Sequence, residues 1–209
     1  MVVTERDTLL VVDVQNDFLP GGALAVPDGD AIVPLVNRLA ARFTHVVLTQ
    51  DWHPVAHRSF ASSHPGKAHF DTVTLHYGPQ VLWPDHCVQG TRGAEFAAAL
   101  DIPHAALVIR KGCRHHVDSY SAFCEADRTT RTGLAGYLRE RGHSRVFVVG
   151  LATDFCVAWT AMDARAEGFE VAVIEDACRA IDTRGSLAAA WEQMREAGVA
   201  RVTARELGV

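Results

Sequence analysis

The sequence lacks the patterns that mark membrane, nucleic-acid-binding and disulfide-rich proteins. It has no apolar run long enough to span a bilayer, and its net charge of −5 argues against nucleic acid or an anionic membrane surface as a partner. Its five cysteines are odd in number and form no Cys-x-x-Cys pair, which predicts free thiols in a reducing compartment. The first residues, M-V-V-T-E-R-D-T, are too polar for a signal peptide, so we expect a cytoplasmic protein.

Buried-strand and amphipathic-helix patterns alternate along the chain. Short apolar runs predict strands at 8–14, 45–51, 105–110, 145–150, 170–175 and 199–203. Helical spacing between them predicts helices at 32–43, 129–141, 155–167 and 186–197. Such alternation is typical of a three-layer α/β/α fold with a six-stranded parallel sheet. With 209 residues, 48% of them hydrophobic, we expect one domain that spans residues 1–209.

One long segment, residues 52–103, interrupts this alternation. It is rich in His, Pro, Ser and Gly and shows little periodicity. Long irregular segments inside compact domains are usually functional. Because this one follows the second strand, we expect it to fold over the carboxyl edge of the sheet, where ligands bind in open α/β folds.

The stretch R-V-F-V-V-G-L-A-T-D-F-C-V, residues 145–157, reads as a buried strand that runs into a helix. Thr153 and Asp154 are both suitable helix N-caps, which would place Cys156 in the first helical turn. A helix N-terminus favours a thiolate over a thiol, and its free N–H groups can stabilise an oxyanion. The alternative is that Cys156 is a small buried apolar residue, as most free cysteines are.

Four reactive side chains stand at or just past the ends of different predicted strands: Asp13, Asp51, Lys111 and Cys156. Taken singly, each suits an ordinary turn. Because the carboxyl ends of parallel strands meet at one edge, we expect the four to lie together. A carboxylate can accept the proton of a thiol, and an ammonium group stabilises the resulting thiolate.

Asp51 and His53 form an Asp-x-His pair whose side chains point the same way on an extended segment. By spacing alone, such a pair also suits a polar loop. His86, from the far end of the inserted segment, is the natural third ligand, and this donor set suits zinc, iron or manganese. The fourth position stays open between water and four residues of the inserted segment: His57, Ser59, His64 and His69.

Several apolar side chains are expected above the same edge of the sheet. Phe18 and Leu24 follow Asp13, Trp83 precedes His86, and Tyr120 follows Lys111. Singly they fit a hydrophobic core equally well. Together they predict an apolar slot of a size to hold a flat ring.

Five motifs carry a resemblance to a known family. They are D-V-Q-N-D-F (13–18), D-W-H-P (51–54), W-P-D-H-C-V-Q-G-T (83–91), D-S-Y-S-A-F (118–123) and G-L-A-T-D-F-C-V (150–157). With these motifs in family order from residue 9 to about residue 182, the chain resembles the nicotinamidase/pyrazinamidase family, the metal-containing branch of the isochorismatase-like cysteine hydrolases.

The resemblance implies roles for residues at matching positions. It implies a catalytic triad of Asp13, Lys111 and Cys156, and one divalent metal ion, zinc before iron or manganese, on Asp51, His53 and His86. It implies an oxyanion hole made by the N–H groups of Ala152 and Cys156, with a cis peptide bond between Leu151 and Ala152. It implies a pyridine pocket lined by Phe18, Leu24, Trp83 and Tyr120, and leaves the fourth metal position open between His57, Ser59 and water.

The resemblance further implies an activity. The expected reaction is hydrolysis of nicotinamide to nicotinic acid and ammonia, a step of NAD salvage, through a thioester on Cys156. Pyrazinamide is the expected second substrate, and the protein is expected to be a monomer or a homo-oligomer. One alternative is a related amidase acting on another small amide, although such relatives generally lack the metal-binding residues. Others are an isochorismatase, which would not need Cys156, and a catalytically silent metal-binding or regulatory domain.

Overall fold

The computed structural model describes residues 1–209 and contains eight strands and four α-helices. The strands are β1 (Asp7–Val12), β2 (His45–Asp51), β3 (Thr72–Leu75), β4 (Gly78–Val81), β5 (Leu107–Lys111), β6 (Arg145–Leu151), β7 (Glu170–Arg179) and β8 (Ala200–Val202). The helices are α1 (Val33–Ala40), α2 (Leu134–Glu140), α3 (Ala158–Ala166) and α4 (Ser186–Glu196).

Six of the strands form one parallel sheet in the order β5-β2-β1-β6-β7-β8. Neighbouring side chains of a strand point to opposite faces, so Leu9 and Val11 belong to one core cluster and Leu10 and Val12 to the other. Helix α1 packs into the first cluster, while α2, α3 and α4 pack into the second. The predicted three-layer α/β/α fold with a six-stranded parallel sheet is confirmed.

Two predicted boundaries are wrong for identifiable reasons. The helix predicted at 129–141 begins only at Leu134, because Asp127 accepts hydrogen bonds from the backbone N–H groups of Thr129 and Thr130 and holds that segment in a turn. The strand predicted to end at 175 continues to Arg179 as β7, since it resumes pairing with β6 after an irregularity near Gly150.

The inserted segment is more ordered than its sequence predicts. It contains the antiparallel hairpin β3–β4 and short 3-10 turns at Ala61–Ser63 and Arg92–Ala94. Its two ends are held together by a parallel bridge between His53 and Val88. The segment therefore leaves β2 and returns to the same edge of the sheet, which brings His86 back beside His53.

Two expectations drawn from composition can be compared with the fold. All five cysteines are free, as predicted. No helix combines the length and the apolar character that crossing a membrane requires.

Candidate active site

The ends of four parallel strands place Asp13, Asp51, Lys111 and Cys156 in one cluster. Lys111 is fully buried, and its ammonium nitrogen lies 2.8 Å from Asp13 Oδ2 and 3.0 Å from Asp51 Oδ1. The same nitrogen lies 3.4 Å from Cys156 Sγ. Three of its neighbours are thus the side chains that the sequence predicts at the edge of the sheet.

Lys111 remains a cation inside the protein. Its third acceptor is the carbonyl oxygen of Ser119, 3.1 Å from the nitrogen. Burial by itself lowers the pKa of the ammonium group, but the carboxylates of Asp13 and Asp51 outweigh burial and raise the pKa well above its usual value. A fixed positive charge therefore sits beside the thiol.

Asp13 stands where the chain turns away from β1. Its backbone is in the left-handed region, with φ 48°, and its N–H donates to Thr49 Oγ1. The Thr49 hydroxyl donates in return to Asp13 Oδ1 at 2.6 Å. Burial raises the pKa of the Asp13 carboxyl, and the Asp51 charge adds to this, while Lys111 and Thr49 oppose it. Asp13 is consequently a stronger base than an exposed aspartate.

Cys156 lies in a single π-helical turn, Thr153–Val157, that leads into α3. Neither Thr153 nor Asp154 caps this turn with its side chain, contrary to the prediction. Instead, the carboxylate of Asp154 accepts hydrogen bonds from the N–H groups of Ile181 and Asp182. Asp154 therefore ties the turn that carries the thiol to the loop before α4.

The protonation state of Cys156 differs from the expectation of a resting thiolate. Burial raises the pKa of the thiol well above its usual value, and the charges of Asp13 and Asp51 add to this effect, while Lys111 opposes it. The loss of hydration therefore outweighs the positive end of the helix. In the free protein the thiol is therefore the favoured form.

Ala152 lies in the cavity wall together with Cys156. The peptide bond between Leu151 and Ala152 is cis. The carbonyl oxygen of Ala152 accepts hydrogen bonds from the N–H groups of Phe155 and Val157, which anchors the start of the turn.

Asp51, His53 and His86 form a buried cluster next to Lys111. His53 Nδ1 lies 3.1 Å from the carbonyl oxygen of Gly112, and His86 Nδ1 lies 2.8 Å from that of Pro84. Carbonyl oxygens only accept, so both Nδ1 atoms carry a hydrogen, and Nε2 is the atom that each neutral ring offers to a cation. Those Nε2 atoms lie 3.2 Å and 3.4 Å from Asp51 Oδ2. Three buried acceptor atoms that face one another fit a bound cation, and two imidazoles with a carboxylate suit zinc, iron or manganese.

His57 and Ser59 are the two residues predicted as alternatives for the fourth metal ligand, and they form a hydrogen bond with each other. His57 Nδ1 is 2.7 Å from Ser59 Oγ, and His57 Nε2 faces the carbonyl oxygens of Arg114 and Val117. Burial, followed by the proximity of His53, lowers the pKa of His57 to about 4. His57 is therefore a neutral ring whose Nδ1 atom is already engaged by the Ser59 hydroxyl.

The thiol and the Asp/His/His cluster open into one narrow cavity. All four predicted pocket residues line it: Phe18, Leu24, Trp83 and Tyr120. The indole N–H of Trp83 donates to the Tyr120 hydroxyl at 2.9 Å, and the Trp83 ring meets Phe155 edge to face with centroids 4.9 Å apart. The cavity is therefore a narrow aromatic slot with polar groups at its inner end.

Sequence reasoning gave no individual role to several residues that line this cavity: Asp118, Ser119, Phe155 and Ile181. Phe155 was detectable as the neighbour of Cys156, and Asp118 and Ser119 belong to the D-S-Y-S-A-F motif. Ile181 has no sequence signal, because Asp154 brings its loop to the cavity from outside the motifs. Gln80 was missed for a similar reason; it comes from β4 and donates to Asp118 Oδ2 at 2.6 Å.

Comparison with known proteins places the chain among enzymes with this architecture. The isochorismatase domain matches residues 7–206. A nicotinamidase of Acinetobacter baylyi is 60% identical over 199 residues, which cover 95% of this chain and 93% of that protein.

Solved structures agree with the sequence comparison. The PnC1 protein of L. infantum, in complex with nicotinate, has a TM-score of 0.87 and 41% identity, covering 99% of this chain and 98% of that one. The pyrazinamidase of Pyrococcus horikoshii, in complex with zinc, has a TM-score of 0.78 and 39% identity, covering 95% and 99%. From this match along almost its whole length, the chain belongs to the isochorismatase family.

Proposed function

We propose that the chain hydrolyses nicotinamide to nicotinic acid and ammonia, a step of NAD salvage, with pyrazinamide as a second substrate. The observation that carries the proposal is the thiol of Cys156, 3.4 Å from an ammonium group that also pairs with Asp13, at the inner end of an aromatic slot. The similarity to a nicotinamidase and to a nicotinate complex supports the same substrate class.

The first half of the proposed reaction forms a thioester. Asp13 takes the proton of the Cys156 thiol, and Lys111 stabilises the thiolate while its sulfur bonds to the carboxamide carbon. The N–H groups of Ala152 and Cys156 are proposed to bind the oxyanion. Protonated Asp13 then gives its proton to the departing nitrogen, the C–N bond breaks, and ammonia leaves.

The second half releases the acid. Asp13 takes a proton from a water molecule, the resulting hydroxide bonds to the thioester carbon, and the C–S bond breaks. The sulfur regains its proton from Asp13, which restores the starting state. Asp13 alternates between base and acid. Its raised pKa favours this role, because it lies closer to neutral pH than the pKa of an exposed aspartate.

Asp51, His53 and His86 are proposed to hold one divalent ion, with zinc preferred and iron or manganese as alternatives. When bound, such an ion supplies a Lewis acid for the ring nitrogen of the substrate or for a water molecule beside it. The chain's own contribution is to hold the ring: Phe18, Trp83 and Tyr120 line the slot, and Leu24 adds a further apolar contact.

We also propose that residues 1–209 act as one domain, with residues 52–103 as its metal-binding insertion. Every residue assigned to the reaction comes from the same chain, so either a monomer or a homo-oligomer could carry out the proposed reaction. The alternative of a related amidase for another small amide shares the Cys156 chemistry but gives no use for the Asp/His/His cluster.

The test is ammonia release from purified protein with nicotinamide, before and after treatment with a strong chelator, with metal content read on the same sample. Turnover that falls with the metal and returns on its re-addition is the expected result. Turnover that stays unchanged when the metal is removed would show that the reaction does not need the metal. A folded, metal-loaded protein that releases ammonia from other small amides but not from nicotinamide would establish the alternative.

A further inference from the structure

We propose that Gln15 is a positioning residue that fixes the backbone of Asp51 and thereby sets metal affinity, an inference that rests on the proposed metal site. Gln15 follows Asp13 by two residues, is 0% exposed, and does not line the cavity. Gln15 therefore does not contact the substrate, and we infer that it acts through its hydrogen bonds to Asp51.

The side-chain amide of Gln15 brackets the peptide groups of Asp51. Gln15 Oε1 accepts a hydrogen bond from the Asp51 N–H at 2.7 Å. Gln15 Nε2 donates to the Asp51 carbonyl oxygen at 2.8 Å and to that of Ala94 at 2.9 Å. Both backbone polar groups of Asp51 are thus satisfied by one buried side chain.

This contact replaces a missing stretch of sheet. The register of β1 with β2 ends at Val11 and Leu48, and at Asp13 the chain turns away from the sheet. The last residues of β2 consequently lose the main-chain partner on that side. A carboxamide has one acceptor and a pair of donors in a plane, like a peptide group, so Gln15 can continue the ladder that β1 no longer provides.

Gln15 is itself held in place, which makes it a rigid support. It forms an antiparallel bridge with Phe96, and its N–H donates to the carbonyl oxygen of Asp13 at 2.8 Å. The loop that carries Asp13 therefore also anchors the Gln15 amide. Because only residues 13–15 separate the two groups, this short segment fixes the position of Asp51 relative to Asp13.

Small movements of Asp51 matter because both of its carboxylate oxygens are in use. Oδ1 pairs with Lys111, and Oδ2 faces His53 and His86. Supports of this kind around metal ligands typically change metal affinity about tenfold to 100-fold when they are removed. Loss of the Gln15 amide is expected to weaken metal binding by a factor within this range.

Gln50 is a matched control on the neighbouring residue. It is also buried, at 6% exposure, and its Nε2 donates to the same carbonyl oxygen of Ala94 at 2.8 Å. Its Oε1, however, accepts from Arg110 and not from Asp51. A Gln50→Met variant therefore loses an amide at the same place without touching the Asp51 backbone.

The experiment measures the zinc dissociation constant of metal-free protein by competition with a chromophoric chelator, for wild type, Gln15→Met, Gln50→Met and Asp51→Ala. Thermal unfolding of the metal-free forms reports any general structural cost separately. If Gln15→Met does not fold, Gln15→Glu takes its place, since it has nearly the same shape but, when ionised, donates no hydrogen bond.

The expected result is zinc affinity about tenfold to 100-fold weaker for the Gln15 variant and changed by less than about threefold for Gln50→Met. Equal zinc affinity in the Gln15 variant and wild type, or equal losses in the Gln15 and Gln50 variants, would overturn the role of Gln15. Zinc binding that is absent from wild type, or unaffected by Asp51→Ala, would instead refute the proposed metal site.

Discussion

The ammonium nitrogen of Lys111 lies 3.0 Å from Asp51 Oδ1, and this contact joins the two halves of the site. On one side, the other oxygen of Asp51 faces His53 and His86. On the other, the same ammonium group pairs with Asp13 and lies beside Cys156. A disturbance at the Asp/His/His cluster therefore reaches the thiol through two side chains, Asp51 and Lys111.

Replacement of Cys156 by Ala is expected to reduce ammonia release from nicotinamide at least about 10³-fold, because it removes the proposed nucleophile. The fold and zinc content should stay near wild type, since the change deletes one sulfur atom at a cavity wall. Cys124→Ala is the control: it removes another buried free thiol that does not line this cavity. Near-normal turnover by Cys156→Ala would exclude the thioester.

Replacement of Lys111 by Met leaves the buried carboxylates of Asp13 and Asp51 without their shared cation. Removing one partner of a buried ion pair typically costs about 3–5 kcal/mol, so we expect a loss of that order in the free energy of unfolding together with loss of activity. Urea denaturation and ammonia release measure the two effects. Lys67, which is exposed, provides the control, and Lys67→Met should change neither quantity. A Lys111→Met protein of wild-type stability would contradict the assigned pairing.

Replacement of Thr49 by Val is expected to move the acid limb of the kcat/KM profile to higher pH. The Thr49 hydroxyl donates to Asp13 and holds its pKa down against burial, so its loss lets the pKa rise further and a higher pH is needed to ionise the base. Thr8→Val is the control, because the Thr8 hydroxyl is buried on β1 with no hydrogen-bond partner. An acid limb that stays in place in Thr49→Val would mean that Asp13 is not the base.

Replacement of Gly112 by Ala is expected to weaken zinc binding through His53. Gly112 has φ +64°, and a Cβ atom there would approach His53 Cε1 to 2.5 Å and Nδ1 to 2.7 Å, so the ring must shift. Gly90→Ala is matched for backbone strain, with φ +76° and no atom within 4 Å of the added Cβ. Each change costs about 1–2 kcal/mol of stability for the left-handed backbone, but only Gly112→Ala should lower zinc affinity. Equal zinc affinities in the two variants would argue against His53 as a ligand.

Glu125 is expected to make stability depend on pH. Burial raises its pKa to about 7, although Arg114 opposes this, and the carboxylate has no hydrogen-bond partner for Oε2. Because the folded-state pKa is raised, its contribution to stability is fully present below the unfolded pKa and is lost as pH rises through about 7.

Glu125→Gln removes this titration. The free energy of unfolding of the variant relative to wild type should therefore grow between pH 5 and pH 8 by on the order of 1–2 kcal/mol, a figure reduced for partial screening by solvent. Urea denaturation at the two pH values is the measurement. A difference between variant and wild type that is the same at both pH values would show that Glu125 keeps an ordinary pKa.

The architecture could be predicted from the sequence because the signals that encode it are local. Each strand of the sheet is a short apolar run that needs no knowledge of its neighbours, and the carboxyl ends of parallel strands always meet at one edge. Boundaries were less predictable. The start of α2 at Leu134 depends on Asp127 hydrogen bonds that compete with the helix, and the full length of β7 depends on renewed pairing with β6.

The order of residues alone sets which chemical groups are present and which edge of the sheet they reach, since both follow from residue identity and from where the strands end. The protonation states and contacts of these groups depend on the folded chain. The thiol form of Cys156, the tautomers of His53 and His86, and the shared Asp51–Lys111 contact depend on burial and on atoms distant in the chain. Electrostatic energies vary with distance and hydration, and neither quantity can be calculated from the order of residues alone.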